Sequence, residues 1–115
     1  MLSPTHWQKL QSFSLSLDRM LQVSDRDELQ ASFAELESEF RDRIMPLSCE
    51  GLDSAVSSLW VSYLTEMHKQ MRLLQTELIY LRSVRQPEKV QERFSNVRQC
   101  LEKLRGYCET FLEKL

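Results

Sequence analysis

Five polar residues interrupt the longest apolar pattern in the chain: Glu66, His68, Lys69, Gln70 and Arg72, within WVSYLTEMHKQMRLLQTELIYL at 60–81. A histidine exposed on a helical bundle can carry a phosphoryl group, but such a site needs a small residue nearby so that a partner can approach. His68 is followed by Lys69, Gln70 and Met71 with no glycine close by. We therefore read His68 as a boundary residue bonding a neighbouring helix, or as a partner contact together with Glu66, Lys69 and Arg72. Metal chemistry finds little support. No glutamate stands three residues before a histidine, and neither His6 nor His68 has a Cys or His at ligand spacing. The motifs GxxxxGK[ST], GxGxxG and GxSxG are all absent. No catalytic residue, cofactor or metal ligand is expected, and the chain is not expected to be an enzyme.

Cys49, Cys100 and Cys108 form an odd set without a CxxC, which suits free thiols in a reducing cytoplasm. Cys108 falls on the apolar stripe of its helix and Cys100 lies beside it, so both are expected in the core. Glu35, Glu37 and Glu39 alternate along their helix, which spreads them over a solvated face. Residues 1–52 carry 5 Lys and Arg against 9 Asp and Glu, whereas residues 53–115 carry 10 against 8. Neither half is basic enough to neutralise a run of phosphates, so nucleic acid is not expected as a partner. No apolar run approaches the roughly 20 residues that span a bilayer, and MLSPTHWQKL lacks the basic and apolar segments of a signal peptide.

The elements that position these side chains follow from periodicity. Trp60, Leu64, Met67, Met71, Leu74, Leu78 and Leu81 step by 4 and 3 in alternation, which places them on one stripe of a long helix. A second, patchier stripe holds Val56, Leu59, Tyr63, Leu73, Tyr80 and Val84, so this helix should have more than one neighbour. Val90, Phe94, Val97, Leu101, Leu104, Cys108, Phe111 and Leu115 repeat the same step in the last helix. Gly106 inside that helix costs about 1 kcal/mol relative to Ala. Trp7, Leu10, Phe13, Leu17, Met20 and Leu21 pattern the first helix; Leu29, Phe33, Leu36, Phe40 and Ile44 pattern the second.

Start and stop signals set the boundaries. Ser3 before Pro4 should cap the first helix. The segment 24–27 should break the chain and cap the second, with Asp25, Asp27 and Glu28 set against the helix dipole, and Asp53 should cap the third. Pro46 and Pro87 should end the helices that precede them. The expectation is one domain over 1–115, all-α, with helices at about 4–22, 25–45, 53–85 and 87–115. The two long helices should form an antiparallel hairpin within a four-helix bundle, with the first pair packed across the hairpin's second stripe.

The segment EMHKQMRLLQTELIYLRSVR, 66–85, resembles the signature of the PatD family, and RGYCETFL, 105–112, resembles that family's final helix. Glu77 and Ile79-Tyr80 depart from the Asp and Met-Phe of the pattern, and residues 1–50 match only in length and helical pattern. The resemblance implies a cytoplasmic, non-catalytic cyanobacterial regulator that restrains heterocyst differentiation and modulates assembly of the cell-division protein FtsZ. Beside it we place the partner-binding edge on Glu66, His68, Lys69, Arg72, Arg82 and Arg85, whose cations suit an acidic surface. The alternative is a structural coiled-coil oligomer or adaptor with an unidentified partner. A homodimer is compatible with either reading.

Overall fold

The computed structural model describes residues 4–114, and the expected cap at Ser3 and the last stripe position at Leu115 lie outside them. Four helices pack against one another: α1 (Pro4–Leu21), α2 (Arg26–Glu39, continued by a π-turn at Phe40–Ile44), α3 (Ser54–Ser83) and α4 (Pro87–Lys114). No strand occurs among the described residues. Each helix has two close neighbours, in the cyclic order α1, α2, α3, α4, and the α3–α4 and α1–α4 seams are the most extensive.

Local chemistry sets most boundaries as the sequence implies. The Asp25 carboxylate accepts from the Glu28 N–H at 3.0 Å and opens α2; Asp53 accepts from Val56 N–H at 2.9 Å and opens α3. Pro87 stands at the first position of α4, where its missing N–H costs no hydrogen bond. α3 stops at Ser83, two residues short of expectation. Its end is held from outside: the Arg26 guanidinium donates to the Leu81 and Val84 carbonyls at 2.8 and 2.7 Å. A cation placed there also meets the negative end of the α3 dipole.

α2 departs from a single α-helix through Met45. The Met45 N–H reaches back five residues to the Phe40 carbonyl at 2.9 Å. Leu36, Phe40 and Ile44 are spaced by two successive steps of four, each of which over-rotates an α-helix by about 40°. The wider turn removes that drift and keeps both Phe40 and Ile44 in the core.

The main stripe of α3 is buried except for Leu64, which is half-buried. From Val97 to Phe111 the α4 stripe is buried too, with Cys100 and Cys108 in the core. Trp60 is the largest fully buried side chain, and the ring of Phe111 meets its indole edge-on at 5.3 Å. The indole Nε1 is buried without a hydrogen-bond partner among the described residues.

Two expectations about packing are corrected. In α1, His6 is buried and Trp7 is exposed. His6, Leu10, Phe13, Leu17 and Met20 hold the 4, 3, 4, 3 step, from which Trp7 is rotated by roughly a quarter turn. The second stripe of α3, moreover, is not covered by α1 and α2. Val56 is buried, but Leu59, Leu73 and Tyr80 remain 44%, 45% and 48% exposed.

Gly106 lies in open helix: a Cβ added there meets nothing within 4 Å. Gly106→Ala should therefore raise unfolding stability by about 0.5–1 kcal/mol. Denaturant unfolding checks this, and a loss of stability would mean that the site is more crowded than its surroundings show.

Candidate functional site

The residues expected to form one edge divide among three places around α3. Toward α4, Glu66 and Lys69 border a groove of about 460 Å3 with Tyr63, Gln70, Lys103, Gly106, Tyr107 and Thr110. Toward α2, His68 and Arg72 line a hollow of about 270 Å3 with Glu37, Phe40, Arg41, Met45, Met71 and Gln75. Arg82 sits ten residues along, about 15 Å from Arg72 at helical rise, and Arg85 lies further on, both beside Asp25, Arg26 and Asp27. Lys69 and Arg72 are both exposed and form the ridge between the first two places. Arg85 lies beyond the end of α3, in the short connection to α4.

His68 is half-buried, in keeping with a boundary position. Its neighbour contact is aromatic: the imidazole stands edge-on to Phe40, with centroids 5.1 Å apart and planes at 85°. Phe40 can hold that position because the π-turn begins with it. Gln70, read from the sequence as part of a polar insert, is instead 5% exposed. Its carboxamide makes no hydrogen bond to another described residue and, unlike the fully buried Trp60 Nε1, lines the open groove. Next to it, burial and the Glu66 carboxylate push the Tyr107 phenol up. Tyr107 therefore stays a neutral hydroxyl at physiological pH and packs edge-on to Tyr63 at 5.6 Å.

Several polar residues join helices in ways that the sequence pattern does not indicate. Glu39, expected on a solvated face, accepts from Ser12 and Ser16 of α1 at 2.9 and 2.7 Å. Glu77 accepts from Arg93 and Asn96 of α4 at 3.0 and 3.3 Å, and the Arg93 guanidinium lies 4.4 Å above the Tyr80 ring. Asp18 accepts from Arg105 at 3.3 Å. His6 Nε2 donates to the Ser48 carbonyl at 2.8 Å, which ties α1 to the loop before α3. The one available signal was phase: position 6, and not 7, continues the α1 stripe.

No group of three or more His, Cys, Asp or Glu is placed to hold a metal ion among the described residues. None of the described helices is long and apolar enough to cross a membrane. No family model matches the chain, and no curated protein or solved structure matches it.

The cysteines are free thiols. Burial, followed by the charges of Glu109, Glu39 and Asp18, pushes Cys108 up from 9.0 to about 12. A folded chain that keeps its proton competes with an unfolded chain that loses it near 9.0. The Cys108 contribution to stability is thus intact below pH 9 and declines as pH rises toward 12. Two outcomes follow. Iodoacetamide should label half-buried Cys49 in the native protein well before Cys108, as read by peptide mass spectrometry. Cys108→Ala should flatten the fall in stability between pH 9 and 12; an unchanged slope would place the titrating group elsewhere.

Proposed function

We propose that this chain is a non-catalytic, protein-binding regulator of the PatD type, acting in the cytoplasm to restrain heterocyst frequency by modulating FtsZ assembly. The observation that carries the binding part is the exposed Lys69–Arg72 ridge of α3, bordered by a concave surface on each side. FtsZ as the partner comes from the resemblance of residues 66–85 and 105–112 to the PatD family. We read the architecture as an antiparallel bundle with α3 and α4 as its hairpin. Tyr63 meets Tyr107 and Phe111, whereas Glu77 further along α3 meets Arg93 earlier in α4.

Within this reading the ridge supplies positive charge to an acidic partner surface, and the Phe40–His68 hollow offers an apolar foothold beside it. Arg82 and Arg85 form a separate contact at the far end, where Asp25 and Asp27 offset their charge. Exposed cations of this kind govern association and its salt dependence more than the final affinity.

A second reading, a structural oligomer, is favoured by a different observation. Leu59, Leu73 and Tyr80 stay exposed after the four helices have packed.

Co-sedimentation of FtsZ with and without this chain, at two salt concentrations, tests the first reading. The pelleted FtsZ should change, and the change should shrink as salt rises. The double variant Lys69→Glu with Arg72→Glu should abolish the effect while the thermal midpoint stays in place, because both side chains are exposed. No effect of the unmodified chain at either salt would overturn FtsZ as the partner. A collapse of the midpoint in the variant would make the ridge part of the framework.

A further inference from the structure

α3 carries a second seam that α4 covers on one side only. Leu59, Tyr63, Glu66, Gln70, Leu73, Glu77 and Tyr80 step 4, 3, 4, 3, 4, 3, the spacing of a coiled-coil contact line. The inner members face α4, with Tyr63 on Tyr107, Glu77 on Arg93 and Gln70 buried between the helices. Leu59, Glu66, Leu73 and Tyr80 form the outer row, one every seven residues over about 31 Å of helix.

We propose that this outer row is the contact surface for a second copy of the chain, docked with the two α3 helices antiparallel about a two-fold axis beside Gln70. Three observations point to a copy and not to an unrelated partner. The first is symmetry: the midpoint of Leu59 and Tyr80 falls between Lys69 and Gln70. Reversing the helix about that point sets Leu59 against Tyr80 of the other copy, and Leu73 against the aliphatic stem of Glu66. A two-fold contact needs a surface that complements itself in this way.

The second is charge. Glu66 lies one turn from Lys69 of the other copy across the axis, and the symmetric pair repeats on the far side. The row and the ridge beside it thus supply both the acid and the base of the contact. The third is the Gln70 carboxamide, which lines the groove beside the centre of the row and makes no hydrogen bond to another described residue. A carboxamide carries both a donor and an acceptor, so two of them meeting at an axis satisfy each other. A single polar residue on a helical seam is also the established means of fixing register and copy number.

Sedimentation of the chain alone over a range of concentrations tests this without reference to FtsZ. The expected result is a dimer at high concentration that dissociates on dilution. Leu73→Glu, at a half-exposed position outside the core, should lose the dimer while helical signal and thermal midpoint are kept. Glu66→Lys and Lys69→Glu should each weaken dimerisation about tenfold through like-charge contact across the axis, and the two together should restore it. A chain that stays monomeric at millimolar concentration overturns the proposal. So does a dimer that survives Leu73→Glu, or one whose charge variants fail to rescue each other. Failure of the FtsZ experiment leaves each of these outcomes readable, because no partner is present.

Discussion

The fold depends on the seam between α3 and α4. Two helices of about 30 residues each lay a continuous apolar stripe against the other, and Trp60, Tyr63 and Phe111 interlock at one end as edge-on aromatic contacts. α1 then closes on α4, and α2 bridges α1 and α3. Polar groups secure these closures from outside the core. Glu39 takes two serine hydroxyls of α1; Arg26 and Gln30 donate to carbonyls near the end of α3. Such bonds add about 1–3 kcal/mol each where a charged group is involved, and they fix direction more than they add bulk stability.

The same seam explains why the polar residues of α3 do not act as one site. Residues 66 to 72 cover almost two turns, so successive side chains point to α4, to solvent and to α2 in rotation. Glu66 and Gln70 belong to the α4 side, Lys69 and Arg72 to the crest, and His68 to the α2 side. A cluster in sequence becomes a ridge with two different flanks. Any partner that reads the ridge must also accommodate one flank, either the apolar Phe40–Met45–Met71 hollow or the tyrosine-walled groove over Gln70.

Helix count, caps and the inward stripes were legible because they are set by short-range chemistry: Asp25 and Asp53 accept N–H bonds within their own turn, and Pro46 and Pro87 disfavour helix before them. What was illegible depends on the partner helix. Nothing local tells Gln70 from Lys69, yet one is buried under α4 and the other faces water. The π-turn at Phe40–Ile44 was foreshadowed only by two consecutive steps of four, a drift that a plain helix could have absorbed at an edge. Glu39 reads as one more surface acid until Ser12 and Ser16 of a different helix are placed beside it. Trp7 was drawn into the α1 stripe by its hydrophobicity, although the regular step favours His6, whose ring both donates to Ser48 and packs on Trp60.

Trp60 and Gln70 show what the core tolerates at this seam. The Trp60 indole N–H is fully buried without a partner among the described residues, which costs about 1–3 kcal/mol of desolvation, whereas the Gln70 carboxamide, in a residue 5% exposed overall, lines an open groove. Their surroundings differ. Trp60 is enclosed by His6 and Phe111 and contributes a large apolar surface, which outweighs one unsatisfied N–H. Gln70 has no comparable ring to bury and stands on the floor of a groove. A glutamine there therefore presents a polar end to the groove, where leucine would present an apolar one.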